Sequence, residues 1–210
     1  MKKIRFFKKI CLLIILVNLL TTRISAQNQE FETITIGNQI WMTDQSATIK
    51  LSNSVLEIDP VDWKQLSEKF PVTAFGFVNF LCISGNHVEC PTGWRIPKKS
   101  DWDALINYLG GEEIAGKKMK TFSLSTEDGE NYMQPIYEGH NESGFSSELS
   151  MHLDSDGYFT DAEPCACYWS SSTSEDKQPY ALYLTSLNNS AYLSESAVGT
   201  GCSVVCIKER

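Results

Sequence analysis

The sequence predicts an α+β fold in which two helices pack on a twisted antiparallel sheet. Two helical stretches with start and stop signals occupy the middle of the chain. Short segments rich in β-branched and aromatic residues then follow one another at hairpin distances. Gly, Asn and Asp stand between them, where tight turns need positive φ. There is no internal repeat and no low-complexity tract.

The elements follow in order. ITIGNQIWM, residues 34–42, reads as two strands about a Gly37-Asn38 turn, with Trp41 and Met42 entering the core. EIDPVDWKQLSEKF, residues 57–70, starts a helix: Asp59 caps it, Pro60 suits the first helical position and Asp62 favours the positive end of the dipole. Pro71 stops it. VTAFGFVNFLC, residues 72–82, reads as a strand, with Gly76 marking a bulge or a close neighbour.

In CPTGWRIPKKSDWDALINYLGG, residues 90–111, Pro91 and Pro97 fix the backbone on either side of Trp94. A helix is expected from Ser100, with Asp103 completing an S-x-x-D variant of the capping box. Trp102, Leu105, Ile106 and Leu109 fall at helical spacing, and Gly110 ends the helix in the left-handed conformation. Trp41, Trp94 and Trp102 are expected in the core.

The pattern weakens from Lys117 to Gly157, where STEDGEN, residues 125–131, is a loop. GFSSELSMHLDSDGYF, residues 144–159, reads as a hairpin turning at Asp156-Gly157. CACYWSSSTS and YALYLTSL are two further strands separated by Glu175–Pro179. SAYLSE, a Gly199–Gly201 turn and CSVVCIK close the chain.

The first 26 residues set the compartment. MKKIRFFKK is basic, ICLLIILVNLL is apolar, and TTRISA ends on a small residue, as in a secretory signal peptide cleaved after Ala26. The apolar run is shorter than the roughly 20 residues that cross a bilayer, so no transmembrane segment is expected once the signal is removed. Residues 27–33 form a polar lead-in, and residues 34–210 a single domain. The signal takes six of the 18 basic residues and none of the 26 acidic ones, leaving 12 against 26 and a net charge of −14. Such a chain is repelled by nucleic acid and by anionic membranes.

Cys11 leaves with the signal. Cys82, Cys90, Cys165, Cys167, Cys202 and Cys206 remain, an even number that an oxidising compartment turns into disulfides. Cys165 and Cys167 share one side of a strand, as do Cys202 and Cys206, so neighbouring strands would allow two cross-strand links. Neither spacing matches the C-x2-C knuckle of a zinc site, and no metal or cofactor is expected. His87, His140 and His152 lie in separate segments without H-E-x-x-H. WSSSTS lacks a nucleophile elbow, and Asp154, Asp156 and Gly157 supply only part of a calcium loop. The chain is therefore not expected to be an enzyme.

IGNQIWM, CPTGWRIPKKSDWDAL, GEEIAGKKMK, SGFS, DGYF, CYWSSS and CSVVCIK occur in one order across residues 34–208. In this the chain resembles the Fibrobacter succinogenes major paralogous domain, a family of exported bacterial proteins. It departs from the family at TDQS, where an Asn-Leu pair usually follows the first tryptophan, and at Val205, where an arginine usually precedes the last cysteine. The resemblance implies Cys90 and Cys206 as the usual cysteine pair, with Cys82, Cys165, Cys167 and Cys202 as additions. The G-W-R-x-P-x-x-x-x-W core is also similar to C-type-lectin-like folds, including the formylglycine-generating enzymes. This implies a compact C-type-lectin-like body with long loops and nearby termini. EPN, QPD and WND, the sugar-binding signatures of C-type lectins, are absent.

The function expected is a non-catalytic binding module, periplasmic, secreted or on the outer surface of a bacterium, for a glycan, peptide or surface protein. Its contacts are expected on the loops around Trp169–Tyr180 and Glu127–Tyr137, with Trp169, Tyr180, Tyr132 and Tyr137 as aromatic anchors. The alternatives are an oxidoreductase of the formylglycine-generating type, using the C-terminal cysteines, and a structural subunit of a surface assembly.

Overall fold

The computed structural model describes residues 31–43, 50–51, 56–58, 71–73, 77–121, 139–155 and 159–210. The expected leader, the helix over 59–70, Gly76, the Glu127–Tyr137 loop with Tyr132 and Tyr137, and the Asp156-Gly157 turn lie outside these residues.

The first hairpin forms as expected. Strand β1 (Thr33–Ile36) pairs antiparallel with β2 (Gln39–Met42), and Gly37 takes a φ of 60° in the turn between them. Two short pairs follow. β3 (Lys50–Leu51) is antiparallel to β6 (Val88–Glu89), and β4 (Leu56–Ile58) is parallel to β5 (Pro71–Thr73). The segment expected as one strand over residues 72–82 is instead divided. Val78 makes an isolated bridge to Cys202, and Asn79 caps a short helix, α1 (Phe80–Ser84), by accepting from the Cys82 amide at 3.3 Å. The Asn79 side chain offers the backbone a helical start that local β propensity does not reveal.

Trp94 and Arg95 form β7, and Lys99–Tyr108 form helix α2. The helix is capped at Lys98, two residues before the expected cap Ser100, and its capping carboxylate is Asp101 rather than Asp103. The Lys98 amide donates to Asp101 Oδ2 at 2.7 Å, and Arg95 donates to both carboxylate oxygens at 2.7 and 2.9 Å. Burial by itself would raise the Asp101 carboxyl. The hydrogen bonds from Arg95 and the Lys98 amide, with the guanidinium charge, together hold it below the ordinary aspartate value. Asp103 pairs one turn back with Lys99 at 2.9 Å, an exposed contact of small energetic weight.

Gly110 and Gly111, both at positive φ, break the chain into a second helix, α3 (Glu112–Met119). Glu112 and Glu113 sit at its positive end and Lys117 and Lys118 at its negative end, which suits the helix dipole. Gly116 is required here, because a Cβ would collide with the Ser190 carbonyl of the neighbouring loop.

The remaining strands are β8 (Ser150–Leu153), β9 (Phe159–Thr173), β10 (Pro179–Thr185), β11 (Ala191–Glu195) and β12 (Ile207–Lys208). They join two four-stranded sheets, in the orders β1-β2-β12-β7 and β11-β10-β9-β8, with antiparallel ladders throughout. The fold is therefore α+β as expected, with its main strands divided between two sheets rather than collected in one. Residues 201–203 explain the division. CSVVCIK does not run as one strand: Gly201, Cys202 and Ser203 make isolated bridges to Leu153, Val78 and Tyr168, and only Ile207 and Lys208 enter the first sheet.

Alternation along β9 builds the core. Ala166 and Tyr168 face one cluster, with Trp41, Trp102, Leu105, Leu182 and Ile207. Cys167 and Trp169 face another, with Val78, Phe80, Cys82 and Cys202. A strand covered on both faces in this way is central to the molecule. Trp41 and Trp102 stack at 4.7 Å, and Phe145 lies edge-on to both Trp41 and Tyr168. Trp41 and Trp102 are core residues as expected. Trp94, on the edge strand β7, is only half-buried.

Candidate functional site

The expected anchor Trp169 is corrected by its surroundings. It is 0% exposed, packs edge-on against Phe80 at 5.3 Å, and donates its indole N–H to the Val78 carbonyl at 2.7 Å. Helix α1 and the Val78 segment cover the face of β9 that local sequence leaves open, so this indole cannot meet a ligand. Tyr180 is half-buried. Lys99 Nζ stands 5.6 Å from the centre of its ring, and the Ser174–Gln178 turn beside it carries exposed Glu175, Asp176 and Lys177.

The sulfurs divide into two groups. Cys90 and Cys206 form one disulfide, with Cα atoms 5.9 Å apart, and Cys167 and Cys202 form another, with Cα atoms 4.9 Å apart. The first is the pair implied by the family resemblance. The second joins β9 to the crossing segment, one of the two cross-strand links that the spacing allowed. Cys82 and Cys165 lie outside both disulfides and are buried. They thus depart from the expectation that all six cysteines serve as bridges. Burial pushes the Cys82 thiol up to about 12, despite local backbone hydrogen bonds that favour the thiolate. A buried thiol that ionises so reluctantly is a poor nucleophile. The native protein at pH 8 is expected to resist a thiol-specific reagent at both positions on the minute timescale, and to react at both once denatured. Mass spectrometry of the alkylated peptides reads this directly.

The C-terminal cysteines are not an exposed pair. Cys202 and Cys206 are each 0% exposed and are bonded to different partners. Among the described residues no group of three or more His, Cys, Asp or Glu is placed to hold a metal ion, and no helix is long and apolar enough to cross a membrane. Lys120, a buried cation, is committed to structure. Its ammonium donates to the Thr185 and Asn188 carbonyls at 2.8 and 2.6 Å, and burial lowers its pKa.

The second sheet brings together a pair that the sequence reading missed. Tyr183 on β10 and Tyr192 on β11 are direct cross-strand partners, and their rings stack at 5.7 Å with an interplanar angle of 20°. Both are half-buried. Tyr183 Oη is hydrogen-bonded to Ser196 Oγ at 2.8 Å, which fixes the ring. Burial raises the Tyr183 pKa, with Cys165 and Tyr192 adding to the shift and the Ser196 bond opposing it. The phenol thus stays neutral across the physiological range. Along β10, Tyr180 and Tyr183 fall on opposite faces, so they belong to different surfaces. The tyrosines of YALYLTSL and SAYLSE were visible in the sequence. Their apposition depends on the register across the Ser186–Ser190 loop, which local signals do not fix.

The family model described as the Fibrobacter succinogenes major domain matches residues 34–208. No curated protein and no solved structure matches the chain.

Proposed function

Because the chain belongs to the Fibrobacter succinogenes major domain family, we propose that it is an exported, non-catalytic binding module of the bacterial surface or periplasm. Its ligand is a glycan, a peptide or another surface protein, held across the Tyr183–Tyr192 face. The stacked pair is the observation that carries this reading: two half-buried rings, one locked by Ser196, on the edge strand β11 and its neighbour β10. Rigid aromatic surfaces recognise sugar rings and peptide side chains at low entropic cost. Two disulfides in a chain with a signal-like leader support the exported setting. The finer, C-type-lectin-like assignment of the α+β fold is supported by the final strand β12 lying beside the N-terminal hairpin, which brings the ends of the domain together.

The oxidoreductase alternative requires an accessible C-terminal cysteine pair, and no observation favours it over binding. A glycan and peptide array is the test. Tyr192→Ala is expected to weaken the array signal about tenfold or more, with a stability change of about 1 kcal/mol or less. Binding indifferent to both Tyr192→Ala and Tyr183→Ala would overturn this face as the contact.

A further inference from the structure

Strand β1 is an edge strand at one end of the first sheet. Its register sets Thr33 opposite Met42 and Thr35 opposite Ile40. The Met42 amide points away from β1 and donates to the Cys206 carbonyl at 3.0 Å, whereas Thr43 donates back to the Glu32 carbonyl at 3.1 Å. Because the two senses alternate along an antiparallel ladder, the amides and carbonyls of Thr33 and Thr35 point outward from the sheet. Among the described residues nothing pairs with them there.

Natural edges are usually blunted by lysine, proline or a bulge. β1 has none of these. Its four residues, Thr-Ile-Thr-Ile, are uncharged and β-branched, and the ladder is unbroken. The two ends of the strand differ in charge. Exposed Glu32 precedes it, and at the far turn the exposed Arg210 donates to the Asn38 carbonyl at 3.2 Å. Tyr108, 66% exposed, lies over Gly37 in the same turn.

We propose that β1 is an assembly edge, and that its partner is the β1 of a second copy of this chain. An antiparallel pairing about a two-fold axis at Ile34 sets Thr33 of each copy opposite Thr35 of the other, so that their outward backbone groups exchange hydrogen bonds. It sets Ile34 against Ile34 on the face shared with the core. It carries Glu32 of each copy toward the turn of the other, where Arg210 and Tyr108 stand. An edge with an acid at one end and a base at the other is self-complementary only in this antiparallel sense. The same arrangement continues the first sheet across the axis and leaves the Tyr183–Tyr192 face, on the second sheet, outside the pairing.

Sedimentation of the exported chain over a concentration series tests this. The wild type is expected to show a monomer–dimer equilibrium. Thr35→Pro removes an outward donor without touching the β1–β2 bonds, and should raise the dimer Kd about tenfold or more. Glu32→Arg should weaken the dimer, and adding Arg210→Glu should restore it, which a general loss of folding would not do. Unchanged melting of each variant separates lost pairing from unfolding. A chain that stays monomeric to about 1 mM, or a dimer indifferent to both Thr35→Pro and Glu32→Arg, overturns the proposal. So does a monomer that instead captures a synthetic strand of unrelated sequence, because the edge would then serve another protein.

Discussion

Trp169→Ala is expected to lower stability by about 4 kcal/mol, as full removal of a buried indole does. In a domain of this size that is a fall in Tm of roughly 12 °C. Two losses combine. The cavity opens between Phe80 and the Cys167–Cys202 bridge, all members of one core cluster. The Val78 carbonyl, which accepts from the indole at 2.7 Å, also loses one of its two donors and keeps only the Cys202 amide at 3.2 Å. Trp169→Phe keeps an aromatic ring against Phe80 and drops the hydrogen bond, so it should cost about 1–3 kcal/mol. Thermal melts of the two variants give the order wild type, Phe, Ala. Ligand binding by the folded fraction should be unaltered, because the indole has no exposed surface. An alanine variant that melts like the wild type would return Trp169 to the surface.

Cys90→Ala/Cys206→Ala should cost about 4–5 kcal/mol. The bridge closes a segment of 116 residues, and restricting so long a loop in the unfolded chain is worth about that much in the chain-entropy description. It also holds the approach to β7 against the residue before β12, next to the strand pairing that closes the first sheet. The Cys167–Cys202 bridge spans 35 residues, and its removal should cost about 1 kcal/mol less. Urea midpoints of the two double variants measure the difference, and a larger loss from the shorter loop would show that packing, rather than chain entropy, sets the order.

The first hairpin and helix α2 were legible in the sequence because their signals are local. Gly37 takes the positive φ its turn requires, and Trp102, Leu105 and Ile106 fall on the buried face that their spacing marks. Even so, the cap of α2 was misplaced. Asp101 and Asp103 are both acidic and close to the helix start, and only the arrival of Arg95 decides that Asp101 takes the capping position. Helices α1 and α3 were missed. The first is five residues long within a β-rich segment, and the second carries a glycine in its middle. In both, packing overrides weak or contrary propensity.

Of the candidate site, the sequence supplied the residue types and not their meeting. Tyr180 is half-buried, beside Lys99. Trp169, equally aromatic and on the strand that leads to the same loop, is wholly buried, since its neighbour Phe80 comes from a segment that reads as a strand and folds as a helix. The Tyr183–Tyr192 face depends on a register set by the Ser186–Ser190 loop and by what lies beneath β11.

By itself the amino-acid sequence determined the α+β class, the first hairpin, the framework of α2, the family, and the pairing of Cys90 with Cys206 through that family. The tertiary structure alone decided that the main strands split into two sheets, that Cys167 takes Cys202, and that Trp169 is core while Tyr183 and Tyr192 form a face. The physical reason is distance along the chain. A turn or a helix start is fixed by residues a few positions apart, whereas the contact that buries Trp169 spans 91 residues and the first disulfide 116. Burial is a property of whatever packs on top, and that partner is not written next to the residue it covers.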